Sequence, residues 1–361
     1  MKKLILLLGY YICCNFSFAQ DTIRSFYDPE ELLLKETFVR INGVAQGLIS
    51  RYDEQGNLIQ IGNLKDELRD GLFIDLNSKT GDTLRITPFI ANIRTGESKS
   101  FFPNGSLQQV STFVNNKIEG EVITYYLNRQ ISDKTFFKNN KPEGLSATYY
   151  ESGNQASKVS FKDGKYDGLF EEFYEDGQLI VSANYVEGEL DGRETQYYAD
   201  GQVQSRIDYS NGDLSGVYEL NYPNGKPERR GNYKKGFADG ELMEYYEDGT
   251  IREKSLYKKG LPVQPTEHYY LTGKLRFKKE FDGDGGLRKE SFFHENGSTY
   301  YVVNLLNGKS EGEVKLFRED GSLEEIRRFQ NGKLHGKREY FDQRGNLIDT
   351  EVYEAGNKKN K

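Results

Sequence analysis

The chain has 361 residues, of which 36% are hydrophobic and 29% charged, and its net charge at pH 7 is −7. An acidic excess argues against nucleic acid and anionic lipid headgroups as partners, because both would repel it. The 26 tyrosines and 22 phenylalanines, with no tryptophan, suit the half-buried surface of a β-sheet.

Residues 1–19 have the features of a secretory signal peptide. Lys2 and Lys3 form a positive head, Leu4 to Cys14 an apolar run, and Ser17 to Ala19 a small-residue cleavage site. The apolar run is too short to cross a bilayer comfortably, which favours cleavage over a membrane anchor. We therefore predict an exported protein of the periplasm, cell surface or extracellular space, with no transmembrane span after cleavage. Both cysteines lie in this segment, so the mature chain would have no disulfide.

Residues 20–100 are predicted to be a divergent N-terminal cap followed by degenerate repeats. Gly47, Gly71 and Gly96 recur at nearly the spacing of the regular repeats that follow them, with one extra residue in the second interval. We expect the segment from Asp21 to about Arg40 to be the atypical unit that covers the first open edge of a repeat array.

Residues 101–353 contain a regular 24-residue repeat. In each copy an aromatic pair leads into a turn glycine, and two strand-like runs joined by a second turn follow. Three series keep this period: Gly153, Gly177, Gly201, Gly225, Gly249, Gly273, Gly297, Gly321 and Gly345; Gly120, Gly144, Gly168, Gly192, Gly216, Gly240, Gly312 and Gly336; and Phe113, Phe137, Phe161, Tyr185, Tyr209, Tyr233, Tyr257 and Phe281. A fixed period of this length indicates stacked units with one continuous core.

The repeat has the pattern of β-hairpins. Apolar residues alternate, as at Leu179, Val181 and Ala183, which is the period of a strand and not of a helix. EDG, PNG and ENG tripeptides separate the runs, and glycine there can take the left-handed conformation that closes a short turn. We therefore predict positive φ at Gly177 and Gly249, and two strands with two turns in each repeat.

The predicted fold class is all-β: an elongated, single-domain repeat of stacked antiparallel β-hairpins in a twisted meander or solenoid-like sheet. A long meander must twist because each strand is rotated relative to its neighbour. No linker divides the chain. Residues 354–361 are expected to be a disordered polar tail.

The pattern YYxxGxLxxxxxYxxGxxxGxxxxYY, which runs through residues 50–353, resembles the MORN repeat variant of bacterial proteins, some of which are labelled antitoxins. The resemblance implies stacked antiparallel hairpins, a role in protein or lipid contact, and no catalytic activity within the repeats. The antitoxin label is tied to no residue that can be matched here.

No catalytic, cofactor-binding or metal-binding site is predicted. His268, His294 and His335 are too few and scattered for a metal site, although the first two could lie near each other across adjacent repeats. The segment Asp282 to Gly286 has the letters of a calcium loop without the further ligands, and a lengthened turn is the better interpretation. No nucleophile, base and orienting group converge. We therefore expect that the protein is not an enzyme.

The aromatic pairs supply the candidate binding residues. Adjacent strand residues point to opposite faces, so the two members of a pair are separated. The first member stays aromatic to Phe341 except at Asn221, whereas the second becomes His294, Arg318 and Asp342. We interpret the second series as partly exposed and predict that it binds a partner; its members are Tyr126, Tyr150, Tyr174, Tyr198, Tyr222, Tyr246 and Tyr270. The alternative is cross-strand packing that only stabilises the sheet.

Two functions remain open on these observations. The first is a secreted, non-catalytic scaffold that binds another protein, because solenoids present long continuous surfaces. The second is a binder of cell-envelope glycan or another polymer, because the tyrosines repeat at about 10 Å, two strand spacings apart. Neither function requires a cofactor.

Overall fold

The structure, a computed structural model, describes residues 20–359. The predicted signal peptide, residues 1–19, lies outside that range. All regular elements between residues 20 and 359 are β-strands, 34 in number, and the pairings found between them are antiparallel. The prediction of an all-β repeat of stacked hairpins is confirmed.

The chain groups into two compact units that divide after Gly153, where the sequence predicts a single domain. Contacts in a repeat protein are confined to neighbouring repeats, so a division between groups of repeats needs no linker. The strands of the first unit are β1 Gln20–Phe26, β2 Leu34–Ile41, β3 Val44–Tyr52, β4 Leu58–Lys65, β5 Leu68–Arg69, β6 Gly71–Leu76, β7 Thr83–Ile90, β8 Ile93–Arg94, β9 Gly96–Phe101, β10 Leu107–Val114, β11 Lys117–Tyr125, β12 Ile131–Lys138 and β13 Lys141–Tyr149.

The second unit is a meander of the same kind. Its strands are β14 Gln155–Lys162, β15 Lys165–Phe173, β16 Leu179–Val186, β17 Glu189–Leu190, β18 Gly192–Tyr197, β19 Val203–Ser210, β20 Asp213–Asn221, β21 Pro227–Lys234, β22 Phe237–Tyr245, β23 Ile251–Lys258, β24 Leu261–Pro262, β25 Thr266–Tyr269, β26 Leu275–Phe281, β27 Leu287–Phe293, β28 Thr299–Leu306, β29 Lys309–Phe317, β30 Leu323–Gln330, β31 Lys333–Leu334, β32 Gly336–Phe341, β33 Leu347–Glu354 and β34 Asn357–Lys358.

Two kinds of connection alternate along the chain. Two-residue turns have positive φ at both positions, as at Asp163 (51°) and Gly164 (85°), the requirement of a type I′ hairpin turn. Five-residue loops are closed at Tyr174, whose N–H donates to the carbonyl of Gln178 at 2.8 Å and whose carbonyl accepts from the N–H of Gly177 at 2.9 Å. Both connections suit the right-handed twist of the strands that they join.

The predicted turn glycines have the expected backbone conformation. φ is +88° at Gly177 and +92° at Gly249. Arg129, which takes the place of glycine in the same series, has a φ of +71°. The loop therefore imposes this conformation, even where a side chain makes it costly.

The glycine series that includes Gly168 marks a β-bulge. Gly168 has a φ of +112°, and the register of β14 and β15 shifts between Val159 and Phe161. A Cβ at Gly168 would lie 3.2 Å from the Cβ of Ser160. Glycine is therefore favoured here for two reasons: the backbone has a positive φ, and the neighbouring strand packs too closely for a side chain.

Strand alternation gives the second unit two faces. Val181, Ala183 and Tyr185 of β16 point to one side, and Phe170 and Glu172 of β15 lie directly opposite Ala183 and Val181. We call this side the cleft face. The opposite face carries ion pairs such as Lys158 with Glu171 and Arg193 with Asp208, whose charged atoms are 2.5 and 2.7 Å apart.

The buried hydrophobic clusters are small. One lies in the first unit and comprises Ala45, Ile49, Leu64, Phe73 and Phe89; another lies in the second unit and comprises Val303, Val314 and Leu316. A single sheet cannot cover its own faces, so most aromatic rings stay half-buried. The strands are therefore held together largely by ladder hydrogen bonds and cross-strand side-chain pairs.

Both ends of the described chain are hairpins. β1 pairs with β2 across a loop of residues 27–33, which is longer than the five-residue loops of the regular repeats, and the Tyr27 hydroxyl donates to the Tyr52 carbonyl at 2.8 Å. That this unit covers the first edge of the array stays a prediction. The predicted disordered tail is ordered through residue 359. There β34 pairs with β33, because Ala355 and Gly356 supply the two positive φ values, 48° and 92°, of one more hairpin turn.

Candidate functional site

The predicted tyrosine series holds successive repeats together. The hydroxyl of Tyr198 donates to the backbone carbonyl of Asn221 at 2.6 Å, and that of Tyr222 to the carbonyl of Tyr245 at 2.8 Å. The same bond is made by Tyr126, Tyr246 and Tyr270. Each bond joins a loop to the end of a strand in the next repeat. These tyrosines therefore act as links between repeats.

The change of residue type after Tyr270 has the same explanation. His294 places its Nε2 2.7 Å from the carbonyl oxygen of Phe317, and Arg318 donates from Nη2 to the carbonyl of Phe341 at 2.6 Å. Both side chains are half-buried. Histidine and arginine thus replace one N–H or O–H donor by another. A charged residue at this position therefore does not by itself indicate a fully exposed surface.

Asp342, at the same position of its own loop, accepts hydrogen bonds instead of donating one. Its Oδ1 accepts the backbone N–H groups of Arg344 at 2.9 Å and Asn346 at 2.8 Å. Asp53 caps its loop in the same way through Gln55 and Asn57. The first loop residue thus donates to the next repeat at Tyr198, whereas at Asp53 and Asp342 it accepts from its own loop.

The predicted contrast in exposure between the two aromatic series is not found. Tyr126, Tyr150, Tyr174, Tyr198, Tyr222, Tyr246 and Tyr270 are half-buried, as are Tyr149, Phe173 and Tyr197. The five tyrosines with a linking bond therefore contribute to packing between neighbouring repeats. Tyr174 is distinguished from the others because it also lines a cleft.

That cleft is a candidate site in the second unit. It has a volume of about 370 Å³ on the cleft face, and β15, β16 and β18 supply most of its lining. The residues that define its chemistry are Phe170, Glu172, Tyr174, Tyr185, Glu194 and Gln196. Strand alternation places the β15 and β16 members on one side, while Tyr174 enters from the loop between these strands.

Aromatic rings form one wall of the cleft. The ring of Tyr185 meets those of Tyr166 and Phe170 edge-on, with centroids 5.3 and 6.2 Å away. Burial raises the pKa of Tyr185, and the nearby carboxylate of Glu194 raises that pKa further. Tyr185 is therefore a neutral hydroxyl over the ordinary pH range, presenting both a ring and a hydrogen-bonding group.

Carboxylates form the other wall. Glu172 is exposed, and Glu194 accepts a hydrogen bond from Nε2 of Gln196 at 2.9 Å. None of the described residues that line this cleft is basic. The site thus combines negative charge with ring edges and faces, which suits a cationic group.

A second cleft, of about 380 Å³, lies farther along the second unit. Tyr300, Tyr301, Val314 and Phe329 contribute to its lining, which contains both Glu290 and Arg327. Its opposite charges lie within one site, so it does not have the uniform sign of the first cleft.

The sequence interpretation missed Glu172, Tyr185 and Glu194 as site residues. Tyr185 belongs to an aromatic series that the repeat pattern shows plainly, but that series was assigned only to packing. Writing the register across β15 and β16 would have placed Glu172 opposite Val181. The cross-strand register, which follows from the positions of the bulges and turns, could therefore have identified these cleft residues from the sequence.

The histidines do not form a joint site. His268 stacks on Phe277, with ring centroids 4.6 Å apart, while His294 bonds to a backbone carbonyl. Between residues 20 and 359, no group of three or more histidine, cysteine, aspartate or glutamate side chains is arranged to hold a metal ion. The same part of the chain contains no helix long and apolar enough to span a membrane.

Asp282 to Gly286 is the lengthened turn that the sequence predicts. The loop replaces the usual two-residue turn and is closed by a bond from the N–H of Asp282 to the carbonyl of Gly286 at 2.9 Å. Asp282 Oδ1 accepts the N–H of Gly286 at 2.7 Å. Its carboxylate is thus used to cap the loop.

The fold defines an all-β repeat protein built from stacked hairpins. Five segments match the model of the MORN repeat variant family: residues 94–115, 166–187, 190–211, 214–235 and 238–259. These matches confirm the resemblance to the MORN repeat variant that the 24-residue pattern predicts.

Comparison with individual proteins gives little beyond the repeat. No curated protein matches the chain. Among solved structures the chain is similar to a chain of the Photorhabdus luminescens Tc holotoxin pore, with 10% sequence identity and a TM-score of 0.16. That match covers 93% of this chain and 22% of the other.

Proposed function

We propose that this protein is an exported, non-catalytic repeat protein that binds another protein through the cleft beside Tyr185. One observation carries the proposal: Glu172 and Glu194 line the same cleft as Phe170, Tyr174 and Tyr185, and its described lining has no basic residue. A lysine or arginine side chain of a partner would complete this site. The rings would contact its methylene groups, and the carboxylates would bind its charge.

The energetics favour a basic side chain over an apolar one. A cation over an aromatic ring gains about 0.5 to 2 kcal/mol, depending on how far it is desolvated. A charge-assisted hydrogen bond to a carboxylate adds about 1.5 to 3 kcal/mol. An apolar group would instead desolvate Glu194 without compensation.

A binding assay with short peptides tests the proposal directly. Oligolysine and oligoarginine should bind the full chain with an affinity that falls as salt rises, whereas oligoglutamate should not bind. The double change Glu172→Gln and Glu194→Gln should weaken binding at least tenfold.

The matched control removes two charges from the same unit outside the cleft. Glu175 and Glu187 are exposed and do not line it. The pair Glu175→Gln and Glu187→Gln should therefore leave affinity within about twofold, since only long-range attraction is reduced. If both double variants lost the same affinity, binding would depend only on non-specific charge attraction, and the proposed site would be refuted.

A cell-envelope glycan is the second candidate partner. The observation that favours it is the hydroxyl of Tyr185 and the amide of Gln196 beside half-buried rings, since sugars combine hydroxyl groups with apolar ring faces. Sedimentation with insoluble peptidoglycan, compared with recovery of a stoichiometric protein from an envelope extract, separates the two. Retention on peptidoglycan that survives high salt would favour the glycan over the basic protein.

A further inference from the structure

The first unit contains a cavity of opposite chemistry to the cleft beside Tyr185. It has a volume of about 290 Å³, and its lining includes Arg85, Arg94, Ser98, Ser100, Gln109 and Ser111. β7, β8, β9 and β10 supply these residues. Two guanidinium groups and several hydroxyls thus converge on one space.

Two contacts hold the guanidinium of Arg94 in position. Its guanidinium lies over the ring of Phe113, 4.4 Å from the centroid, and Nη2 donates to the carbonyl of Asn116 at 3.2 Å. Of the five N–H donors of the group, no other is matched to an acceptor among the described residues. The stacked ring fixes the plane of the fork, so little conformational entropy is lost when it binds an anion.

The residues around the cavity have a net charge close to +1. Arg85 lies 3.6 Å from a carboxylate oxygen of Asp75, measured from Nε, and this contact offsets part of its charge. Arg94 has no such ion pair among the described residues. A ligand with a single negative charge therefore matches the cavity better than a dianion, because its lining supplies about one positive charge that no carboxylate offsets.

The remaining lining suits hydroxyl groups. Ser98 donates to the carbonyl of Ile86 at 2.9 Å and lies 3.3 Å from the hydroxyl of Thr87. Gln109 uses Nε2 for a long contact of 3.4 Å to Thr124, which leaves its amide oxygen as an acceptor. Ser100 and Ser111 add hydroxyls with no hydrogen bond of their own among the described contacts.

The repeat itself does not require these residues. Ser98 has the same phase in the repeat as Glu194, and Ser111 has the same phase as Ala183. Both of these later positions are part of an acidic and aromatic cleft. Hydroxyls and arginines are thus a local property of the first unit.

We propose that this cavity binds a sugar that carries one carboxylate. Arg94 holds the carboxylate through its free N–H groups, Arg85 adds positive charge, and the hydroxyls of Ser100 and Ser111 with the amide of Gln109 bind the sugar hydroxyls. The site is independent of the cleft beside Tyr185, because its lining lies wholly within residues 85–113.

Ligand-observed NMR or calorimetry with the full chain tests the proposal, with glucuronate as the probe. Glucuronate should bind, and glucose, which has the hydroxyls without the charge, should bind at least tenfold more weakly. Inorganic phosphate serves as the third ligand. Tighter binding of phosphate than of glucuronate would overturn the assignment to a sugar acid and show a simple anion site.

Arg69 offers a matched control for Arg94. It occupies the same place in the preceding repeat, where its guanidinium lies 5.0 Å from the ring centroid of Phe89, and it does not line the cavity. Arg94→Gln should weaken glucuronate binding at least tenfold, whereas Arg69→Gln should leave it unchanged. Equal losses in both would overturn the proposal.

A second variant guards against loss of fold. Ser100→Ala leaves Arg94 and its stacked ring in place and should weaken glucuronate severalfold at an unchanged melting temperature. Unchanged affinity in Ser100→Ala together with unfolding of Arg94→Gln would count against the sugar site, because the arginine would then serve only the packing of Phe113.

Discussion

The hydroxyl of Tyr198 donates to the backbone carbonyl of Asn221, in the next repeat, at 2.6 Å. The bond ties the loop of one repeat to the strand end of the next, and Asn221 is itself buried, with 5% of its surface exposed. Because equivalent bonds recur in the second unit, the tyrosine hydroxyls and not only their rings contribute to the stacking of repeats.

Removing one such hydroxyl should therefore be measurable. Tyr222→Phe keeps the ring but leaves the carbonyl of Tyr245 without its donor, at a cost of about 1 kcal/mol. Urea unfolding would measure the change. Tyr166→Phe is the control, since Tyr166 is 37% exposed and makes ring contacts only. Equal stability of the two variants would contradict the linking role.

Tyr174 should separate binding from packing. Replacing Tyr198, Tyr222 and Tyr246 together by serine removes three rings and three linking bonds, and should cost several kcal/mol. Each linking bond contributes about 1 kcal/mol, and each half-buried ring contributes part of the roughly 1.5 to 3 kcal/mol of full burial. Tyr174→Ser should cost less but weaken oligolysine binding. If the triple variant folds normally but no longer binds, the tyrosine series would be the binding surface that the sequence predicts.

The backbone conformation of Gly177 should limit what can replace it. A Cβ there meets no atom within 4 Å, so the cost of Gly177→Ala comes from its φ of +88° and should be about 1 kcal/mol. Gly283 also has open space around it but no positive φ. Gly283→Ala should therefore be neutral in thermal unfolding, and equal shifts in melting temperature would argue against backbone strain.

Glu325 should contribute to acid sensitivity. It is 5% exposed and lies 2.7 and 2.5 Å from the guanidinium nitrogens of Arg327 and Arg338. Burial favours its protonated form, but the hydrogen bonds from the two arginines outweigh burial and lower its pKa.

A lowered folded-state pKa means that the carboxylate stabilises the protein above its unfolded pKa of about 4.3 and that this stability is lost as pH falls through the folded value. Removing the charge from such a pair costs about 3 kcal/mol. Glu325→Gln should thus destabilise the protein at pH 7 and flatten its unfolding free energy between pH 5 and pH 3. Unchanged pH dependence would contradict the role of this carboxylate.

Glu253 should behave in the opposite way. Burial raises its pKa, and the neighbouring carboxylate of Glu244 raises it further. A raised folded-state pKa gives stability that is present below the unfolded pKa and lost as pH rises through the folded value. Glu253→Gln should therefore unfold at a higher temperature than the parent at pH 7, and the difference should shrink toward pH 4.

The sequence by itself determined the class of fold and the place of its turns. The 24-residue period and the two-residue alternation predict hairpins, because side chains in a strand alternate between faces. The turn tripeptides predict a positive φ at Gly177 and Gly249, because glycine adopts that conformation at low cost. These are local relations, so they can be deduced without knowing which strands pair.

The tertiary structure alone decided what each side chain does. Tyr198 and Glu194 lie close together in the sequence, yet one links two repeats and the other faces a cleft, because cross-strand register sets the partner of each group. That register is set by the turns and bulges of the neighbouring hairpins. A series that tolerates histidine and arginine looked exposed in sequence, whereas the carbonyl that it serves belongs to the next repeat and is brought close only by stacking.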